Sequence, residues 1–320
     1  MRKFSLLFLL IILLTALPAY AQEQPASGQP QQQAQIALAP ELITTGAAAF
    51  DAQDYDRALL DFSLFILLNP TYSQGYYLRA LSYLGREDTD NALADLEQAF
   101  ATMPDSPEYG VVLYDLRANI YTDLERYDDA IADYSEAIDL SPSADLYFSR
   151  AQLFGVIEDF DKALTDLNSA IVESADDPVL RVYRAFINIQ LGNSEDAAPD
   201  YYRFMELIET QRIENDPLVE SEPQFVMINQ GVIHQFELDG ERDQVISIIA
   251  QGRPGDSIDP LMVLLDDGGD VLAANDDYGD GIDSVILDFQ LPSDGTYTLL
   301  VSHSLGGFQG EVVVAYQVTK

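Results

Sequence analysis

Five alanines in phase, Ala58, Ala92, Ala130, Ala163 and Ala197, limit what this chain can fold into more than any other feature. Their spacings are 34, 38, 33 and 34 residues. Four residues after each stands a large side chain: Phe62, Leu96, Tyr134, Leu167 and Tyr201. Twelve residues after the first three stand Pro70, Pro104 and Pro142. One period is legible in full from Val111 to Pro142, VVLYDLRANIYTDLERYDDAIADYSEAIDLSP. Apolar residues recur in it at helical spacing through Leu113, Leu116, Ile120 and Leu124, then through Ala130, Ile131, Tyr134, Ala137 and Ile138. Glu125-Arg126 separates the two helices, and Ser141-Pro142 stops the second. One such hairpin cannot bury its apolar side alone, so it must stack on copies of itself.

A helix-turn-helix period of this length with small residues at fixed places resembles the tetratricopeptide repeat (TPR) family. The resemblance covers about residues 39–212 as five repeats. The fourth repeat departs at its end, with Ala175 where proline is expected and Pro178 three residues later. The fifth carries Pro199 early in its second helix, a position tolerable only in the first turn. The four extra residues around Asp105–Glu108 are expected to bulge as a loop.

A second periodicity is charged. Arg-Ala recurs at Arg79-Ala80, Arg117-Ala118, Arg150-Ala151 and Arg184-Ala185, with Thr45 at the first repeat's corresponding place. An aspartate follows each phased alanine by three: Asp61, Asp95, Asp133, Asp166 and Asp200. Five aspartates against four arginines suggest forward pairing, Asp61 to Arg79, Asp95 to Arg117, Asp133 to Arg150 and Asp166 to Arg184. Pairing within a repeat is the alternative, and it leaves Asp61 spare. Either arrangement gives partly buried bidentate pairs that set register more than they add stability.

In TPR proteins the first helix of each repeat lines a concave groove. The resemblance assigns that role here to Ile43, Ala47 and Phe50, to Tyr77, Leu81 and Leu84, and to Asp115, Asn119 and Thr122. It continues in Phe148 and Gln152, then Val182, Phe186 and Ile189. The lining is apolar and aromatic with a polar centre and almost no Lys or Arg. It therefore suits an apolar or basic peptide segment, or an amphipathic helix, better than a terminal carboxylate.

Residues 1–21 read as a secretory signal peptide: Met1-Arg2-Lys3, an apolar run from Phe4 to Leu17, then Pro18-Ala19-Tyr20-Ala21 with small residues at the cleavage positions. No cysteine follows Ala21, which excludes a lipid-anchor site there. The expectation is a secreted or periplasmic protein with no membrane insertion after cleavage. Residues 22–38 are rich in Gln, Pro and Ala without apolar period and read as a disordered spacer. Loss of Arg2 and Lys3 takes the formal charge from −38 to −40. Such acidity argues against nucleic acid, because phosphate contacts need Lys and Arg. The absence of cysteine rules out a disulfide framework and thiol nucleophiles.

Beyond Arg212 the helical period fails. Residues 216–223, with Asp216-Pro217 and Glu220-Ser221-Glu222-Pro223, read as an acidic linker between a TPR region at 39–215 and a β region at 224–320. Eight short strands with period two follow: Phe225–Ile228, Val232–Leu238, Gln244–Ala250, Leu261–Leu265, Val271–Ala274, Ser284–Gln290, Thr296–Val301 and Glu311–Val318. The expected fold is multidomain, an all-α TPR superhelical solenoid followed by an all-β jelly-roll-like antiparallel sandwich. The β region also resembles the bacterial pre-peptidase C-terminal (PPC) domain. The resemblance rests on Asp259-Pro260-Leu261, Val263-Leu264-Leu265-Asp266, Gly269, Val271-Leu272-Ala273, Asn275-Asp276-Asp277, Leu291-Pro292 and Gly295-Thr296-Tyr297-Thr298-Leu299. It implies calcium or polymer binding.

Within that region Asp276, Asp277, Asp280 and Asp283 are the candidate Ca2+ ligands, alternating with glycine so that flexible loops can supply six to eight oxygens. The spacing is not that of an EF-hand, because the third position is Tyr278 and the twelfth Leu287. A solvated acidic turn has the same composition. Two separated histidines, His234 and His303, make neither a zinc helix nor a triad, and no enzyme is expected. The reading is an exported adaptor that holds a protein or peptide partner in its TPR groove. The alternative is a carbohydrate- or cell-wall-binding protein working through the sandwich on an extracellular polymer, with Phe289, Tyr297, Phe308 and Tyr316 as candidate platforms.

Overall fold

A computed structural model describes residues 30–253, 258–276, 283–304 and 309–320, with side chains from residue 40 onward. The signal-peptide reading falls outside these residues. So do two of the candidate calcium ligands, Asp277 and Asp280.

Ten helices form five TPR-like hairpins: α1 (Pro30–Asp51) with α2 (Tyr55–Leu68), α3 (Ser73–Gly85) with α4 (Thr89–Thr102), and α5 (Pro107–Asp123) with α6 (Tyr127–Leu140). Next come α7 (Ala144–Val156) with α8 (Phe160–Glu173), and α9 (Pro178–Gln190) with α10 (Ser194–Ile208). Among the described residues, none of these helices is long and apolar enough to cross a membrane. The phased alanines are packing points. Ala58, Ala92, Ala130 and Ala163 are fully buried, as are Ala80, Ala118, Ala151 and Ala185 beside the arginines. A larger residue at any of them would force the two helices of a hairpin apart.

Every hairpin turns the same way. Gln53, Glu87, Glu125, Glu158 and Gly192 take φ near 60–80°, the left-handed conformation that ends a helix. The next backbone N–H then reaches back to the preceding helix: Asp54 to Ala49, Asp88 to Tyr83, Arg126 to Tyr121, Asp159 to Phe154 and Asn193 to Asn188. That same residue is the N-cap of the following helix, so a single peptide closes one helix and opens the next.

Three expectations are corrected. Helix α1 starts at Pro30, inside the stretch read as disordered; Gln and Ala are good helix formers and proline suits a helix start. The extra residues near Asp105–Glu108 do not bulge. Ser106 caps α5 through the Tyr109 N–H, Pro107 occupies the first turn, and α5 is 17 residues long where α3 is 13. Four residues are about one helical turn, so the insertion lengthens the helix and keeps its buried face in phase. Pro199 lies well inside α10 rather than in its first turn. Pro199 and Glu195 are both exposed, so water can serve the carbonyl that loses its partner.

The chain divides into two compact units, Met1–Pro142 and Ser143–Lys320. In the first, Ile43, Phe62, Phe65, Tyr77, Leu78, Leu96 and Leu113 form one core. The second unit joins the last two hairpins to nine strands: β1 (Gln211–Glu214), β2 (Gln224–Ile228), β3 (Val232–Gly240), β4 (Val245–Gly252), β5 (Pro260–Leu265), β6 (Val271–Asn275), β7 (Ser284–Gln290), β8 (Gly295–His303) and β9 (Gly310–Val318). They make two sheets, ordered β1-β3-β8-β5-β6 and β2-β9-β4-β7. Leaving β1 aside, this nested antiparallel order is that of a jelly roll. The inner faces meet in a core of Phe236, Ile246, Ile248, Met262, Leu264, Ile286, Tyr297, Leu299, Val301, Val312 and Val314. Strand β1, too short and polar to read from sequence, adds in parallel to β3.

The outer face of the five-stranded sheet is covered as well. Ile233, Leu261, Val263, Leu265 and Leu300 pack against Val182, Ala185, Ala197, Tyr201, Phe204 and Met205 of α9 and α10. Strand β5 therefore shows six buried residues in a row, which is how a strand apolar on both faces reads. The acidic stretch 216–223 is not a free tether. Leu218 enters the sandwich core, its N–H bonds to the Glu237 carbonyl, and the Ser221 N–H bonds to that of Tyr316.

Candidate functional site

The arginine–aspartate pairs form inside each hairpin, which corrects the forward reading. Nε and Nη2 of Arg79 donate to Asp95 at 2.8 and 2.7 Å, and those of Arg117 to Asp133 at 2.7 and 2.7 Å. Arg150 grips Asp166 at 2.7 and 2.7 Å, and Arg184 grips Asp200 at 2.6 and 2.7 Å. Facing helices of one hairpin approach closely enough for a two-point fork, and the aspartates are buried. The link between repeats comes from the remaining nitrogen. Arg79 Nη1 donates to Ser63 Oγ at 3.2 Å, Arg117 Nη1 to Glu97 at 2.8 Å and Arg184 Nη1 to Asn168 at 2.7 Å. Ser63, Glu97 and Asn168 each stand two residues after the preceding repeat's aspartate. The carboxylate hydrogen bonds raise the Arg79 and Arg117 pKa values, so both stay charged. Arg117 also lies over the Phe100 ring, 4.2 Å from its centroid. Asp61 has no such fork, and Arg57 of its own helix approaches it instead.

With the arginines committed to structure, the first helices offer other side chains for recognition. In the first unit Phe50, Leu81, Leu84, Asp115 and Asn119 are all partly exposed. The Asn119 amide donates to the Asp115 carbonyl at 2.6 Å and to its carboxylate at 3.1 Å, which fixes a polar point beside the leucines. Tyr77 is not available. It is 4% exposed and meets Tyr109 edge-on inside the core, where burial raises its pKa.

In the second unit Val182 is likewise lost to the core, the cluster that α9 and α10 share with the sheet. Phe148, Gln152 and Phe186 remain at the surface, Phe148 partly buried, Gln152 exposed and Phe186 41% exposed. Between the two phenylalanines lies Tyr183, absent from the sequence reading. Its ring meets Phe148 at 5.4 Å edge-on and Phe186 at 5.9 Å. A Cβ at Gly155 would come within 2.6 Å of the Tyr183 hydroxyl, so that glycine makes room for the shelf. The three-residue spacing of Tyr183 and Phe186 on α9 was the available signal.

The described calcium candidates have other partners. Asp276 is partly buried; Tyr201 Oη donates to one of its oxygens at 2.5 Å and Ser304 Oγ to the other at 3.2 Å. Desolvation raises its pKa. Asp283 accepts from Gln251 Nε2 at 2.8 Å and from the Gly252 N–H at 3.2 Å. No group of three or more candidate metal-binding side chains occurs among the described residues. Both histidines hold backbone. His303 accepts the Gly231 N–H on Nε2 and donates from Nδ1 to the Ser304 carbonyl, while His234 Nε2 donates to that of Met227. Of the candidate carbohydrate platforms, Tyr297 is 1% exposed, Phe289 and Tyr316 pack on the core, and Phe308 lies outside the described residues.

Residues 118–155 match the family model described as TPR repeat. That match runs from α5 through α6 into α7. Tetratricopeptide repeat protein 13 of Homo sapiens is 28% identical over 172 residues, 52% of this chain and 19% of that protein. DnaJ homolog subfamily C member 3 homolog of Dictyostelium discoideum is 25% identical over 127 residues, 39% of this chain and 25% of the other. The chain thus spans a quarter or less of these relatives. Among solved structures, MamA protein superimposes at 15% identity and a TM-score of 0.47, covering 53% of this chain and 91% of MamA. The five helical hairpins run from α1 to α10, and the sandwich follows them.

Proposed function

We propose that this TPR protein is an exported, non-catalytic adaptor that binds a segment of another protein on the first helices of its hairpins. The observation that carries the reading is the aromatic shelf of Phe148, Tyr183 and Phe186, with Gln152 beside it. Three rings, one of them 41% exposed, offer apolar area at low conformational cost, and the glutamine supplies directional hydrogen bonding. The net charge of −38 favours a basic or apolar segment over an acidic one. Export rests on the basic and apolar pattern of residues 1–21.

Selection of peptides from a random display library on the intact mature chain tests the binding. Bound sequences are expected to be apolar or basic, and Tyr183→Ala with Phe186→Ala is expected to weaken them at least tenfold by fluorescence anisotropy. Equal binding by the double variant would exclude this shelf. Export is checked separately, by fractionating cells that express the chain with a C-terminal tag and measuring the mass of its mature N-terminus.

A further inference from the structure

The two sheets of the sandwich are apolar on their outer faces, and only one of those faces is covered within the second unit. Alternation fixes which residues of the four-stranded sheet look outward. Val226, Ile228, Val312, Val314, Ile246, Ile248 and Ile286 point into the core. Their neighbours on the same strands therefore face away: Phe225 and Met227 on β2, Val313 and Ala315 between Glu311 and Gln317 on β9, Ile249 between Ser247 and Gln251 on β4, and Val285 and Leu287 on β7. The registers make these one surface. Phe225 stands opposite Val313, Ala315 opposite Ile249, and Ile249 opposite Val285. Phe225 is 65% exposed, and Met227 and Leu287 are each 52% exposed. A soluble sheet normally alternates apolar in and polar out, so apolar side chains contributed by all four strands, in the adjoining rows Phe225–Val313 and Ala315–Ile249–Val285, mark a face that expects a cover.

We infer that this face is a second docking surface, distinct from the TPR shelf, and that its occupant is a cationic amphipathic helix of another protein. The helical form follows from the opposite sheet, where α10 lays Ala197, Tyr201, Phe204 and Met205 on outward-facing Ile233, Leu261, Val263, Leu265 and Leu300. The sign of charge follows from the border. Glu311 stands opposite Met227, Asp283 closes onto Gln251, and Glu220 reaches the β9 end at Val318. Against these, Arg253 is already engaged with Glu311 at 3.4 Å. A second copy of this chain would carry the same net charge of −38 and the same acidic border, which opposes self-association there.

The test uses the intact mature chain and three synthetic probes. They are an 18-residue Leu/Lys amphipathic helix (length chosen as about five turns), a scrambled peptide of equal composition, and a Leu/Glu counterpart. Calorimetric titration is expected to show the amphipathic Lys probe binding at least tenfold more tightly than the scramble, with the Glu probe silent. Phe225→Ser with Leu287→Ser alters only exposed positions, checked by an unchanged melting curve, and should bring the amphipathic probe down to the scramble. Hydrogen exchange should slow on β2, β7 and β9 with the bound probe. Equal binding of probe and scramble, persistence in the double variant, or concentration-dependent dimerisation lost in that variant would each overturn the proposal. Loss of peptide binding at Tyr183 and Phe186 leaves this result untouched, so the two surfaces fail separately.

Discussion

Thr45 stands sixteen residues before Asp61, the place that Arg79, Arg117, Arg150 and Arg184 hold before their own aspartates. Asp61 is 1% exposed, its Oδ1 accepts no hydrogen bond, and its partner Arg57 is half in solvent. Thr45→Arg supplies the missing fork from the facing helix and is expected to stabilise the first hairpin by about 1 kcal/mol, the net worth of a charge-assisted bond. A urea midpoint that stays or falls in that variant would show that Arg57 already satisfies the site. The converse change is larger. Arg117→Ala leaves Asp133 buried without its partner, and a cost of about 3 kcal/mol is expected by the same measurement. Arg117→Lys should recover less than half, because an ammonium cannot form the fork, reach Glu97 and lie over Phe100 together.

The hairpin is the working element, and its turn is where this sequence departs from the backbone's preference. Glu125 and its three non-glycine counterparts hold a left-handed φ that L side chains adopt at a cost, while only the fifth repeat uses glycine. Glu125→Gly is expected to raise stability by about 1 kcal/mol, read as a shift in thermal midpoint of the full chain. A lowered midpoint would mean that the added freedom of the unfolded chain outweighs the relieved strain. At Gly192 a Cβ would meet nothing within 4 Å, so the four side chains cost conformation rather than packing.

At the scale of the molecule, the break lies between hairpins and not between helix and strand. Residues 143–320 contain a sandwich core and the layer joining α9 and α10 to the sheet, so this fragment should unfold in one cooperative transition. Residues 224–320 alone expose Ile233, Leu261, Val263, Leu265 and Leu300, and should bind hydrophobic dyes or aggregate; a monomeric, cooperatively melting 224–320 fragment would sink this view. The α10–sheet joint also carries a pH signature. Asp276 has a raised pKa from burial, so its contribution falls as pH rises above the unfolded value of about 4, when the native state must bury a charge or keep a proton. Asp276→Asn should therefore gain on the wild type as pH increases, measured by urea unfolding from pH 4 to 8. His234 works in the other direction. Burial lowers its pKa, so the stability it contributes is present above about 6.5 and is lost as pH falls below it.

The repeat count, every strand but β1 and the packing points were legible because each depends on local period. An alanine every 34 or so residues and an alternation of two state their own geometry. Phe50, Leu81, Leu84, Phe148 and Phe186 could be nominated from repeat phase alone. The partner of Asp95 could not, since Arg79 and Arg117 fit the pattern equally and only the distance between facing helices chooses. Nor could the fate of Val182 and Tyr201, which occupy ordinary repeat positions and yet join a core with sheet residues from Ile233 to Leu300, far along the chain. Sequence set the hairpins and the strands through short-range chemistry. Tertiary structure decided what each apolar face touches, because burial is a property of the assembled layers and no residue carries it alone.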